Sequence, residues 1–151
     1  GFEIREPLAA IKGTLRRMEV PDHHVRTVET SDLEACDQLC RSIHGFSRSW
    51  ELQDAISAGS ARLVEHRGRV TAYTTNIGFS GHTVGRNSTA VMALVAATDR
   101  IRGPGFLLPL RSTDLLMWCL EHGLRIEQPL SLMSRGTYRK PQGVYLPSIA
   151  C

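Results

Sequence analysis

The sequence predicts a mixed α/β (α+β) fold in which helices flank a central β-sheet. Between Gly105 and Met133 a short apolar run, a helical pattern and a second extended run give the order strand, helix, strand. Earlier in the chain, two alternating runs flank Arg67-Gly68 as in a β-hairpin. The capping-box pattern Ser31-Asp32-Leu33-Glu34 opens an amphipathic helix. With 151 residues, the chain can form one domain with a substantial core.

The first half of the chain contains two helices and a hairpin. Residues 1–13 are predicted to be an opening strand that carries apolar Phe2, Ile4, Leu8 and Ile11, and 14–24 are polar enough to be a linker. The predicted elements that follow are a strand at Val25–Val28, a helix from the capping box to about Ile43 that ends at Gly45, a helix at Ser49–Ala58, and hairpin arms at Ala61–His66 and Arg69–Ile77. Residues 78–85 are either irregular or a further strand.

The second half repeats the alternation of helix and strand. A helix is predicted from about Ser88 to Thr98, with Asn87 or Ser88 as its cap, and a second helix is capped by Ser112. The remaining predicted elements are a strand at 106–108, the helix at Thr113–His122, a strand at Ile126–Met133 and a last strand at Val144–Leu146.

The opening of the chain resembles its own last long strand. Gly1–Ile11 aligns without a gap on Gly123–Met133, and glycine, isoleucine, proline and leucine coincide at the same offsets. We therefore expect residues 1–24 to be an N-terminal strand and linker left by a preceding repeat, and 25–151 to be the domain proper. An unpaired apolar strand is adhesive, so it should dock on this sheet, on another chain or across a dimer.

Composition limits the classes of function. The net charge of +3 and the isoelectric point near 8.9 are too mild to indicate nucleic-acid binding. No apolar run approaches the roughly 20 residues that span a bilayer, and no signal-peptide pattern is present, so no membrane association and a cytoplasmic location are expected.

Charges and cysteines are unevenly placed. Residues 66–98 contain no Asp or Glu, so this segment either attracts an anionic ligand or is a solvated basic face. Cys36 and Cys40 lie one helical turn apart, on an apolar face, and are expected to be buried. His44 is the one further metal ligand nearby, so no metal site is predicted, and Cys151 is expected to be exposed.

The order of the elements from residue 25 to about residue 146 is similar to that of the GNAT superfamily of N-acetyltransferases. Residues 25–35, Val-Arg-Thr-Val-Glu-Thr-Ser-Asp-Leu-Glu-Ala, resemble the family's first strand and capped first helix. Leu115–Leu124 resembles its final helix, which commonly reads Asn-x-x-Ala-x-x-Leu-Tyr-x-x-x-Gly-Phe. The closest resemblance is to the C-terminal repeat of tandem GNAT proteins.

The resemblance implies an N-acyltransferase that moves an acetyl group from acetyl-CoA, its cosubstrate, to an amine of a small molecule or peptide. Acetyl-CoA would bind where two neighbouring strands splay apart, with its pyrophosphate at the amino end of a helix. The residues in that position are Val84, Gly85, Arg86, Asn87 and Ser88. The family's phosphate-loop pattern does not occur there; Arg100-x-x-Gly103-x-Gly105 matches it but follows the helix.

Catalysis would need a base for the amine and an acid for the departing thiolate. Aligned on the resemblance, the family's tyrosine acid falls on Cys119, whose alternative role is packing. The base would be His82 or Glu65; the alternative for His82 is a surface-loop histidine without a role.

Two further functions compete with the enzyme. One is a non-catalytic GNAT-like module of a tandem protein that binds a ligand or a partner domain; the partner would be a preceding GNAT-like domain or, in a homodimer, a second copy. The other is a small α/β binding protein whose basic segment holds a different phosphate-bearing ligand.

Overall fold

The computed structural model describes residues 1–149, and Ala150 and Cys151 lie outside them. In order, the elements are β1 (Phe2–Gly13), β2 (His24–Thr27), a short 3-10 helix (Thr30–Asp32), α1 (Leu33–His44), α2 (Ser49–Ser57), β3 (Arg62–His66), β4 (Arg69–Thr74), β5 (Thr83–Gly85), α3 (Ser88–Ala96), β6 (Phe106–Pro109), α4 (Thr113–Glu121), β7 (Leu124–Arg135) and β8 (Val144–Leu146). Within residues 1–149 the four α-helices accompany two antiparallel sheets, which confirms the predicted mixed class. The expectation of one central sheet is wrong, because the strands divide between two sheets.

The larger sheet has five strands in the order β2-β3-β4-β5-β8. The predicted hairpin between β3 and β4 is confirmed, because Arg67 and Gly68 both adopt positive φ angles (52° and 75°), as a two-residue hairpin turn of the primed type requires. β4 ends at Thr74 and not at Ile77, and the unsettled stretch 78–85 contains β5 at its end.

The smaller sheet has three strands in the order β6-β1-β7. β1 pairs with β6 through Leu8–Ile11 and with β7 along its whole length. The opening strand therefore docks on this chain's own sheet. Its second half is buried between the two neighbouring strands, whereas Phe2 and Ile4 in its first half are exposed.

Two apolar clusters pack the helices against the sheets. Leu39 of α1 and Leu52 of α2 pack with residues of β3 and β4 in one cluster. The other cluster lies under α3 and α4 and joins Ile11 of β1, Val64 of β3 and Phe106 of β6. Since Ile11 is fully buried, β1 contributes to the core that the rest of the chain shares.

Two predicted helix ends are confirmed. Gly45 follows α1 with a φ of 83°, the left-handed conformation that glycine adopts without a steric penalty. The Asn87 Oδ1 accepts a hydrogen bond from the Ala90 N–H at 2.9 Å and caps α3.

Two predicted caps are wrong. At the first helix, the Asp32 carboxylate accepts a hydrogen bond from the Glu29 N–H at 2.8 Å, so the capping residues lie two positions before the predicted Ser31 and Glu34. Ser112 makes no side-chain capping bond to α4. A serine motif cannot reveal that the helix begins two residues earlier with Glu29 and Asp32 as its capping pair, or that Asp114 accepts the first-turn amide of Leu115.

Cys36, Cys40 and Cys119 are free and buried, as their spacing on apolar helix faces indicates. The exposure expected for Cys151 falls outside the described residues. Across residues 1–149 no cluster of His, Cys, Asp and Glu side chains is arranged to hold a metal ion. None of the helices in that range is both long and apolar enough to cross a membrane.

Candidate functional site

The five residues predicted to cradle a cofactor lie together where β5 leads into α3. Val84 and Gly85 are buried in β5, and Arg86 and Asn87 are exposed at the turn before the helix. The Arg86 N–H donates to the Thr71 carbonyl at 2.9 Å, which fixes the turn against β4. The turn that leads into α3 is thus held in place, and the exposed Arg86 lies directly before the helix.

A carboxylate already lies at this helix end. The Ser88 hydroxyl donates to Asp114 Oδ1 at 2.8 Å, and the same oxygen accepts the Leu115 N–H at 2.9 Å. Asp114 lies in the first turn of α4, which is outside the acid-free segment 66–98 but packs against the helix that this segment contains. A negative charge near two helix N-termini is favourable, and it opposes the approach of a second anion.

The other side of β5 is covered by β8. The two strands pair antiparallel, with Thr83 opposite Leu146 and Gly85 opposite Val144, and β8 also contacts β6. Gly143 lies so close to β5 that an added Cβ would be 2.9 Å from the Gly85 carbonyl oxygen. β8 therefore fills the space between β5 of one sheet and β6 of the other.

A partly buried polar cluster anchors β8. Glu6 Oε1 accepts a hydrogen bond from the Tyr145 hydroxyl and a second, 3.3 Å long, from the Tyr138 hydroxyl. The other carboxylate oxygen, Oε2, lies 3.1 Å from Arg111 Nε. The Arg111 guanidinium also stands 5.4 Å from the centre of the Tyr145 ring. Burial raises the pKa of Tyr145, and the hydrogen bond to Glu6 raises it further. The hydroxyl therefore stays protonated and acts as a donor. β1 and β8 are thus joined through one carboxylate.

Tyr145→Phe is expected to lower the free energy of unfolding by about 1.5 kcal/mol, because it removes one hydrogen bond to a charged group while Tyr138 and Arg111 remain. Urea denaturation followed by circular dichroism measures the change. Tyr138→Phe, which removes the longer bond to the same oxygen, is the matched control and should cost less. Equal losses in the two variants would contradict the assigned role of Tyr145.

His82 is not in an exposed loop; only 1% of its surface is accessible. Its Nε2 lies 3.0 Å from Nε2 of His44 in α1, so one imidazole donates and the other accepts. His82 Nδ1 is buried without a hydrogen-bond partner among the described residues. Burial lowers the pKa of His44 to about 4, and burial also holds the pKa of His82 well below its ordinary value. A histidine that is inaccessible to substrate is poorly placed as a general base.

Glu65 is held in an ion-pair network at the β2 edge of the larger sheet. The Arg26 guanidinium donates to Glu65 Oε1 at 2.7 Å and to both carboxylate oxygens of Asp32 at 2.7 and 2.8 Å. Arg26 thus engages Oε1 of the carboxylate that would have to accept a proton from an amine.

Cys119 is fully buried in the cluster under α3 and α4, in which Leu115 and Leu124 also lie. Burial raises the pKa of its thiol to about 12, so the group stays protonated at neutral pH. His82 contacts α1, Glu65 contacts β2, and Cys119 lies on the buried face of α4. The structure therefore places the three catalytic candidates in three separate environments.

A basic depression lies at the ends of β1 and β7. It has a volume of about 590 Å³ and is lined by Lys12, Arg100, Arg102 and Arg125, with Asp99 as the acid among its lining residues. The loop with the literal Arg100-x-x-Gly103-x-Gly105 pattern lines this depression and not the amino end of α3. Such a surface would concentrate small anions.

Four residues of this region, Asp114, Glu6, Arg111 and Tyr145, are not indicated by any pattern in the sequence. Each acts through a partner distant in sequence, up to 139 residues apart for Glu6 and Tyr145, so no local pattern could indicate it. No known family model matches the sequence, and no curated protein matches it significantly. The function of this chain is therefore inferred from the geometry around β5, α3 and β8.

Proposed function

We propose that this chain is a non-catalytic GNAT-like module of a tandem protein, which binds a ligand or a partner domain and does not itself transfer an acetyl group. The order of its elements from β2 to β8, and the separation of β5 and β6 into two sheets, support the GNAT-like assignment. The single observation that carries the proposal is the position of β8 between β5 and β6.

In a GNAT-like domain that space is the wedge in which acetyl-CoA would lie. Here the outward main-chain groups of β5 are paired with β8, and Asp114 provides a negative charge at the amino end of α3. A pyrophosphate would have to displace a strand anchored by Tyr145 and approach a carboxylate. Both requirements oppose binding of the cosubstrate.

The catalytic groups support the same conclusion. A general base must reach the amine, directly or through one water, and must be able to accept its proton. His82 is inaccessible, Glu65 is engaged by Arg26, and Cys119 is enclosed in the core. No pair among the three shares a cleft.

The second candidate is an acetyltransferase that works after β8 has moved aside. The exposure of Arg86 next to the first turn of α3 favours it, because a cation and a helix N-terminus together attract phosphate. Acetyl-CoA binding separates the two candidates.

We expect 1 mM acetyl-CoA to leave the melting temperature of the wild-type chain unchanged, and a panel of amines to release no CoA thiol. A ligand that binds the native state raises the melting temperature by mass action, so the absence of a shift reports a blocked wedge. A shift accompanied by thiol release in the wild-type chain would overturn the proposal and establish the enzyme.

Gly143→Val tests whether β8 is the block. Its side chain would meet the Gly85 carbonyl and Ile43, so it should displace β8 from β5. Acetyl-CoA should then raise the melting temperature of this variant by a few degrees, still without thiol release. The neighbouring exposed Gln142→Ala is the control and should behave as wild type. Circular dichroism checks that Gly143→Val retains its fold, and a folded variant without a shift would contradict the assignment of this space as the wedge.

A further inference from the structure

β1 and β7 are related by a local two-fold axis that coincides with the sequence repeat. The strands span Phe2–Gly13 and Leu124–Arg135, and their bounds differ by the same offset as Gly1 and Gly123. Leu8 and Leu130 are equivalent in the repeat, and they are also paired with each other across the sheet. An antiparallel pair of equivalent strands has this property only at its symmetry axis.

The other pairs follow the same symmetry. Ile4 pairs with Met133, and the equivalent residues, Ile11 and Ile126, also pair. The register shifts between Ile4 and Glu6 on β1, which leaves Arg5 as the extra residue; the second shift leaves its repeat equivalent, Glu127, extra on β7. A slip of one residue in either strand would destroy this agreement, so the pairing is that of two copies of one strand.

We infer that β1 is the last long strand of a preceding domain of the same fold in the same polypeptide, and that this domain's counterpart of β6 pairs with the open edge of β7 at Leu130–Met133. The inference rests on the proposed function, because it names the partner of the tandem module. β1 lies between β7 and β6. If the two-fold symmetry is complete, β7 should likewise lie between β1 and a strand equivalent to β6.

Burial of equivalent residues supports this arrangement. Leu124 is 3% exposed under α4, whereas its equivalent on β1, Phe2, is 69% exposed. Ile11 is fully buried beside β6, whereas its equivalent on β7, Met133, is 49% exposed. Each position is covered where this domain supplies a helix or strand, and is open where the symmetry-related element would lie. Apolar residues left open in this pattern indicate a surface that another domain covers.

The main chain of β7 is oriented for such a pairing. The Leu110 N–H, directly after β6, donates to the Pro7 carbonyl at 3.1 Å, so the Pro7 carbonyl points toward β6. Because orientation alternates along a strand, the equivalent Pro129, followed by Ser131 and Met133, faces the open edge of β7. Pro7 also shows that a proline at this position is compatible with pairing, since only its carbonyl is used.

The connection of β1 to the rest of the chain identifies the source of the second domain. β1 continues directly through residues 14–23 into β2, the first strand of this domain. A strand that closes one copy and is covalently joined to the start of the next places the first copy upstream in the same polypeptide. A second copy of this chain would be the alternative occupant of the edge.

The test compares amide hydrogen exchange in the 151-residue chain and in the polypeptide extended upstream to its natural start. We expect the Ser131 and Met133 amides to exchange about 100-fold more slowly in the longer protein, because they become hydrogen bonded. The Leu130 and Leu132 amides, which face β1, should be protected in both proteins and report that β7 is folded.

Ser131→Pro in the longer protein removes one edge donor and should abolish the added protection at Met133, whereas Ser131→Ala retains the amide and should not. Absence of an upstream domain, or equal exchange in the two proteins, would overturn the inference. So would dimerisation of the 151-residue chain with protection of the same amides, since a second copy would then be the occupant. These readouts are independent of acetyl-CoA, so the outcome for β7 does not depend on the proposed lack of catalysis.

Discussion

Lowering the pH from 7 to 5 is expected to reduce the free energy of unfolding by on the order of 2 kcal/mol through His44 alone, with a further loss through His82. Burial, aided by the Arg48 charge, lowers the pKa of His44 to about 4, and burial also lowers that of His82. In the unfolded chain both imidazoles regain a pKa of about 6.5. Between these values the unfolded state binds more protons, so stability is complete above pH 6.5 and is lost as the pH falls toward 4.

The surroundings of the pair explain why protonation is unfavourable. His44 packs against the Phe46 and Tyr145 rings, and His82 packs against Tyr73. The groups that face the two imidazoles are therefore aromatic rings, the other imidazole and the nearby Arg48 guanidinium. A charged imidazole would be cut off from water by its burial and repelled by the Arg48 guanidinium, and charging both rings would also break the hydrogen bond between them.

Urea denaturation at pH 7, 6 and 5 measures this loss. The carboxylate of Asp32 does not interfere in that range, because the hydrogen bond from Arg26 holds its pKa below the ordinary value. His44→Gln should reduce the dependence of stability on pH, whereas His24→Gln, at an exposed position, should leave it unchanged. A wild-type stability that is constant from pH 7 to pH 5 would refute the buried neutral pair.

Gly105→Ala is expected to lower the free energy of unfolding by roughly 2–6 kcal/mol. Gly105 has a φ of 110°, which L-residues rarely adopt, and an added Cβ would clash with the Ile11 carbonyl of β1. Backbone strain of about 1–3 kcal/mol and a similar cost of about 1–3 kcal/mol for displacing packed neighbours combine at this position. Because Ile11 pairs with Phe106 directly after the glycine, the substitution separates β1 from β6.

Gly103→Ala separates strain from collision. Gly103 lies in the same loop with a φ of 61°, and an added Cβ would have no neighbour within 4 Å. This variant should cost only about 1–2 kcal/mol, the usual penalty for a left-handed L-residue. Chemical denaturation of both variants measures the difference, and equal losses would show that β1 does not approach the loop as described.

The local elements of the fold were predictable because their causes are local. Arg67-Gly68 determines the turn between β3 and β4, Gly45 ends α1, and Asn87 caps α3; each effect involves residues within four positions. The caps at Ser31 and Ser112 were wrong for the complementary reason. A short motif shows which side chain could bond to an amide. It does not show that Glu29 and Asp32 form the cap of the first helix two positions earlier, or that Asp114 accepts the Leu115 N–H in place of Ser112.

The predicted cradle shows the same limit at the site. Residues 84–88 are contiguous, so a strand followed by a helix necessarily places them together. The groups that occupy this place, Asp114 and β8, come from 26 residues and more away and are positioned by packing. The sequence of β8 does not indicate whether this strand lies beside the wedge or within it.

The sequence by itself determined the alternation of helices and strands and the equivalence of 1–11 with 123–133, because periodicity, turn residues and self-similarity are properties of the order of amino acids alone. Only the tertiary structure decided that β1 lies between β6 and β7, that β8 occupies the space beside β5, and that His44 meets His82. These contacts join residues that are tens of positions apart, and their free energy depends on the burial and charge that arise only when the sheets and helices have packed.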